Sequence, residues 1–209
     1  MAVTFPLNLL DDIKGIGWST NFELVYRQEQ SRHASGRIRV KDYGAPIWTA
    51  TYSTKNLSPN RLDFWKARLG LLENGLNTFY AYPTSRCWPI KHPNGLGLNS
   101  LTAEVNSLNL NNKELSLKSL PNLNLSTGDY LSVNDRLYQI MEDSSTGTLG
   151  QGPQFEIRPH FNINNIAVDD TVRIYQPRCI MTLVPGSASF GSGLNGRGSV
   201  SFQAIESIG

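Results

Sequence analysis

PIKHPNGLG, residues 89–97, is where the texture of the chain changes. Pro89 and Pro93, with Asn94-Gly95 and Gly97 close behind, interrupt both helix and central strand, so the segment reads as a turn-rich connector. Beyond it, short β-rich runs separated by turn residues fall at 102–105, 114–118, 129–133, 137–142, 155–159 and 171–175. Five or six such strands within about 85 residues predict a small barrel. Residues 178–184 then return to a strand pattern, a glycine-serine loop occupies 185–198, and 199–204 alternates as a last strand.

The residues before the connector predict strands around one helix. Residues 18–27 (WSTNFELVYR) and 37–41 (RIRVK) alternate apolar and polar side chains and predict an antiparallel hairpin closed by the loop 28–36. Residues 46–54 (PIWTATYST) place Trp48, Ala50 and Tyr52 on one face of a strand, and 77–83 (NTFYAYP) predicts another. Between them Ser58 suits a helix cap and Pro59 the first helical position. Leu62, Trp65, Leu69 and Leu72 follow at steps of three and four, and Gly75 suits a left-handed stop.

The thirty residues after the barrel candidate are too few to bury a core alone, since chains below about 40 residues seldom do so. They are expected to complete the sheet begun before the connector. The predicted fold is therefore mainly β: a discontinuous β-sandwich domain with one helix, residues 1–90 and 176–209, carrying an inserted OB-fold-like small β-barrel at 91–175. Charge supports that division. Residues 91–175 hold six Lys/Arg against nine Asp/Glu, a net −3, while the remainder holds thirteen against eight, a net +5. The formal +2 of the 209-residue chain is thus a cancellation.

Composition excludes several classes. Charged residues are 17% and aromatics 10%, which is not the composition of a disordered chain. No apolar run approaches the roughly 18 residues of a membrane helix, the first ten residues carry no basic segment, and two cysteines make no disulfide framework. Folding in the cytosol is the expectation.

Gly191-Ser-Gly193-Leu-Asn-Gly196 matches GxGxxG, but a strand rather than a helix follows it, so a hairpin or contact loop is expected and no nucleotide site. Cys87, His92 and Cys179 are three potential zinc ligands without a fourth, at a spacing that matches no common zinc pattern. Cys87 and Cys179 flank the insertion, and their sulfurs are expected near each other as core thiols. The acidic pairs Asp11-Asp12, Glu142-Asp143 and Asp169-Asp170 suit turns better than a glycosidase cleft. His33, His92 and His160 have no nucleophile setting, so no catalytic residue, metal or cofactor is assigned. Arg27, Arg32, His33, Arg37, Arg39 and Lys41 form one basic cluster, diluted by Glu29 and Asp42, which suits a solvated face or a subunit contact better than a nucleic-acid stripe.

Several segments, in order, resemble the distal tail proteins of long-tailed phages: Gly17-Trp18-Ser19, Ile47-Trp-Thr-Ala-Thr-Tyr52, the helix RLDFWKARLGLL at 61–72 with Thr78-Phe79, Gly128-Asp-Tyr-Leu-Ser-Val133 with Arg136-Leu-Tyr-Gln-Ile140, and Ser189-Phe-Gly-Ser-Gly-Leu-Asn195. The resemblance spans nearly the full length, and the form it looks most like is that of siphophages of enteric bacteria. It implies a structural virion protein, not an enzyme. Such a protein assembles in the host cytoplasm into a hexameric ring at the tail tip, between tail tube protein and baseplate hub protein, with the insertion facing tail fibres or cell-surface glycan. It also implies a subunit contact near Phe190 and Leu194. A carbohydrate-binding module acting through the barrel is the alternative, with Tyr130, Tyr138 and His160 as stacking groups; an enzyme is the third class, and the sequence displays no convergent polar pocket for one. Neither a membrane nor sequence-specific nucleic acid is an expected partner.

Overall fold

The structure is a computed structural model that describes residues 3–10, 18–98, 102–193 and 195–207. In chain order its elements begin with strands β1 (Ser19–Val25), β2 (Gln28–Arg32), β3 (Ile38–Asp42) and β4 (Ile47–Ser53), helix α1 (Pro59–Gly70) and strand β5 (Thr78–Ala81). The middle of the chain holds β6 (Ala103–Leu108), β7 (Glu114–Lys118), β8 (Asn124–Leu125), β9 (Tyr130–Val133), β10 (Arg136–Ile140), β11 (Ser144–Ser145), β12 (Phe155–Arg158) and β13 (Thr171–Arg173). The chain ends with β14 (Cys179–Leu183), β15 (Ser189–Ser192) and β16 (Gly198–Glu206).

The helix forms where the apolar stripe predicts it. Leu62, Trp65 and Leu69 are buried, as is Leu72 just beyond. Ser58 contributes its carbonyl, which accepts from Leu62 N at 2.9 Å, but its hydroxyl makes no capping bond. The helix ends at Gly70, ahead of the stop expected at Gly75, and a separate turn follows in which Glu73, Asn74 and Gly75 all take positive φ (47°, 55° and 103°). Glycine is required at the last of these, where a Cβ would lie 2.5 Å from the Leu183 carbonyl oxygen.

The stripe packs on a six-stranded antiparallel sheet in the order β1-β4-β16-β14-β5, with β15 paired to the first half of β16. The long last strand therefore sits in the middle of the sheet, paired to β4 through Ser201–Ile205 and to β14 through Ala204–Glu206. Both ends of the chain share one core, in which Trp48, Tyr52, Trp65, Phe79 and Phe202 are all within 1% of full burial. Leu7 extends the sheet by a parallel bridge to Phe79.

The predicted pairing of 18–27 with 37–41 is wrong. β1 pairs along its whole length with β4, from Ser19↔Ser53 to Val25↔Ile47, which sets Phe22 opposite Ala50 and Leu24 opposite Trp48. Residues 28–36, expected as loop, contain β2, which pairs with β3 as a separate two-stranded ribbon. The alternating apolar side chains of β1 need an apolar cross-strand partner, and β4 offers one. QEQSR in β2 has no apolar side chain, so it cannot bring its hairpin into the core.

Residues 103–173 form the expected small barrel, closed by β10-β12-β7-β6-β13-β9 with every neighbouring pair antiparallel. An OB fold has five strands; this barrel has six. Numbered from β6, its strand order is 1-2-5-4-3-6. Val105, Leu117, Leu131, Tyr138, Ile157 and Val172 fill its interior.

Sheet and barrel are joined through the outer side of β9 and β10. Leu137 turns away from the barrel and belongs to the core of the sheet. Its carbonyl accepts the indole N–H of Trp48 at 2.8 Å, and the Tyr130 ring lies 5.9 Å from the Trp48 ring. The two connectors meet beside this seam, where Gln176 N donates to the Cys87 carbonyl at 2.7 Å. No described helix is long and apolar enough to cross a membrane.

Candidate functional site

The residues singled out by the sequence separate in space. Tyr138 is fully buried inside the barrel, where desolvation raises its pKa to about 12, so its ring faces are closed to any sugar. That corrects its assignment as a stacking group. Tyr130 is half-buried against Trp48 at the seam. His160 alone of the three stands in a solvent-facing cleft. The three do not form a stacking platform.

Phe190 is half-buried on β15, opposite Val200, and packs on the sheet core. Leu194 lies outside the described residues, as do Asp11-Asp12 and Gly17. The GxGxxG segment forms the turn between β15 and β16: Gly193 N donates to the Arg197 carbonyl at 2.8 Å and Gly196 N to the Gly193 carbonyl at 3.0 Å. Its amides close a hairpin, as its sequence context predicts, and no helix start stands behind them.

Cys179 is buried in the sheet core, and Cys87 packs at its edge. Burial raises the Cys179 thiol well above its ordinary pKa and the Cys87 thiol to about 11, so both stay protonated at neutral pH. The His92 imidazole accepts Asn124 N at 3.1 Å. Among the described residues no group of three or more His, Cys, Asp or Glu side chains converges on a point.

Two features remain unabsorbed by the fold. The first is the ribbon of β2 and β3, an arm in which all ten strand residues are exposed. Its register, Gln28↔Asp42 to Arg32↔Ile38, puts Gln30, Val40, Arg32 and Ile38 on one face and Glu29, Lys41, Ser31 and Arg39 on the other. Ile38 is 64% exposed and Val40 52%. The arm is ordered at its base: Tyr43 N donates to the Arg27 carbonyl, the Tyr43 hydroxyl donates to the Glu29 carboxylate, and Lys41 Nζ stands 5.1 Å from the Tyr43 ring centre. A two-stranded hairpin alone in water is marginal, so these contacts at the base support the arm.

The second is a cleft of about 870 Å³ between the base of the arm and the barrel. Tyr26, Arg27 and Asp42 line it from the arm side; Arg136, Arg158 and His160 line it from the barrel. Arg136 links the cleft to the seam, its Nε 3.9 Å from Glu206 Oε1, and neither atom has a hydrogen-bond partner. Glu206 Oε2 accepts Trp48 N at 3.1 Å. Sequence reasoning missed the cleft because its walls come from two segments, 26–46 and 112–165, that are distant in the chain.

Burial raises the Glu206 pKa above its ordinary value, against the opposing pull of the Trp48 amide and Arg136. A carboxyl raised in the folded state binds its proton more tightly there than in the unfolded chain. Its contribution to stability is therefore full below the unfolded pKa and declines as pH rises through the folded one. Urea unfolding of Glu206→Gln and the parent from pH 4 to 7 should show the difference in the parent's favour shrinking with pH; a difference that grows contradicts the assignment.

No protein-family model matches the chain, and no curated protein matches it.

Proposed function

We propose that the chain is a structural subunit of a phage tail tip, forming a ring of six that joins the tail tube protein to the baseplate hub protein. The observation that carries this reading is the arm. Its face of Ile38, Val40, Arg32 and Gln30 is exposed in the single subunit, as a head-to-tail contact between copies requires. Head-to-tail contacts close into a ring when the rotation between subunits closes. The +5 of the outer part of the chain, against −3 for the insertion, also suits an arm that reaches toward a neighbour of opposite charge. The absence of a nucleophile setting in the sequence agrees with a role in assembly rather than catalysis. On this reading the protein assembles in the host cytoplasm and resides in the virion tail, with the barrel turned toward fibres or glycan.

The test is the double variant Ile38→Asp, Val40→Asp. Both positions are exposed, so the subunit should keep its melting temperature, while each contact weakens about tenfold or more through lost apolar burial and added charge. Mass photometry of parent and variant at equal concentration should show the hexamer population lost in the variant. Hexamers of unchanged stability would remove the arm from the account.

The carbohydrate reading keeps one specific support, the cleft beside His160.

A further inference from the structure

We infer that the cleft between the base of the arm and the barrel is a binding site for an acidic saccharide, a sugar carrying a carboxylate or phosphate. The inference sharpens the carbohydrate reading and stands apart from ring assembly.

Charge is the first argument. The inserted segment is acidic as a whole, yet the side it turns to the cleft presents Arg136 and Arg158, and the arm base adds Arg27. Asp42 is the one acidic side chain in the lining, and it already accepts Gly44 N at 3.2 Å. Three guanidinium groups and one carboxylate line the cleft, while Glu156 beside Arg158 and Glu206 beside Arg136 offset part of that charge from outside the lining. An anion is therefore held by the charged N–H donors that the guanidinium groups present in a concave space, with Arg27 the one not ion-paired to a carboxylate among the described residues, rather than by a large net charge. The same field acts on His160, whose pKa is held below its ordinary value by burial first and then by Arg158 and Lys113.

The cations are also held in place. Arg27 Nε donates to the Ala45 carbonyl at 3.2 Å, which seats the guanidinium against Gly44. A Cβ at Gly44 would lie 2.7 Å from an Arg27 amino nitrogen, so glycine there makes room for the arginine. Arg158 is fixed by the Ile157 carbonyl at 2.8 Å and by the Glu156 carboxylate. Guanidinium forks restrained in this way are suited to bidentate capture of a carboxylate or phosphate.

The remaining lining selects a sugar over a bare anion. Asn112, Asn162 and Asn165 bring amides that donate and accept, as hydroxyls need, and the half-exposed Tyr26 ring offers a face for the C–H side of a sugar ring. The volume of about 870 Å³ holds more than one saccharide unit and lies within the ordinary range of small-ligand sites.

The test is calorimetric titration of the full chain with glucuronate, glucose 1-phosphate, glucose and inorganic phosphate. Glucuronate and glucose 1-phosphate should bind saturably, with glucose and inorganic phosphate at least about tenfold weaker. Arg27→Gln and Arg158→Gln should each weaken the acidic sugars by about tenfold or more, while Arg61→Gln on the exposed side of α1 should leave them unchanged. Arg27 is exposed, so its variant stays folded if the loss of the Glu156 partner harms Arg158→Gln. Equal binding of glucose removes the anion requirement, and equal binding of inorganic phosphate removes the sugar. Absence of binding, or full affinity in both arginine variants, overturns the site. A chain that binds acidic sugars without assembling retains the cleft and loses the ring; the converse retains the ring alone.

Discussion

Replacing Trp48 with alanine is expected to cost about 3–5 kcal/mol, the range for truncating a large aromatic in a packed core. Trp48 is 1% exposed on β4, and its ring lies 5.5 Å from Phe22 and 5.9 Å from Tyr130. Alanine would leave a cavity at the seam, where Leu137 and Tyr130 of the barrel pack with the core of the sheet. It would also strand the Leu137 carbonyl, which now accepts the indole N–H at 2.8 Å. Trp48→Phe separates the two effects, since it keeps most of the apolar area and loses only that hydrogen bond, for about 1–3 kcal/mol. Urea unfolding followed by circular dichroism measures both. A loss below about 1 kcal/mol in Trp48→Ala would mean that the seam does not couple the two parts.

Gly198→Ala should be comparably severe, at about 3 kcal/mol or more. A Cβ on Gly198 would lie 1.8 Å from the Gly191 carbonyl oxygen and 3.0 Å from Ser192 Cα, both backbone atoms that no side-chain rotation can move. Gly198 is tied on its other side as well, where its N–H donates to the Leu57 carbonyl and its own carbonyl accepts Leu57 N at 2.6 Å. To admit the methyl group, β15 must part from β16 or the bridge to Leu57 must open. Gly191→Ala is the control: nothing lies within 4 Å of its Cβ position, so that change should stay within about 1 kcal/mol. A Gly198→Ala protein as stable as Gly191→Ala would show that the two strands approach less closely than described.

Both residues mark where sequence reasoning succeeds and fails. The helix was legible because its stripe, Leu62 to Leu72, and its start at Pro59 agree, while its end falls at Gly70, before the expected stop at Gly75. The barrel was legible because turn residues bound each of its short strands. Tyr138 is no stacking group because β10 buries residues on both of its sides: Tyr138 fills the barrel while Leu137, next to it, fills the sheet core. The run Leu137-Tyr138 with Ile140 carries a trace of that double burial, too short to decide it. The arm was misread for the opposite reason. QEQSR lacks the apolar side chains by which strands are recognised, since its pairing with β3 buries nothing. The cleft left no local signal at all, because Arg27 at the base of the arm and Arg158 on β12 of the barrel line it together only in the folded chain.

The central claim, a ring-forming subunit, is tested most directly by the size and symmetry of the purified full chain, measured by mass photometry and negative-stain class averages. The account predicts particles of six copies, about 139 kDa from a 23.2 kDa chain, with sixfold averages around an open centre. A compact monomer at every concentration tested would contradict it.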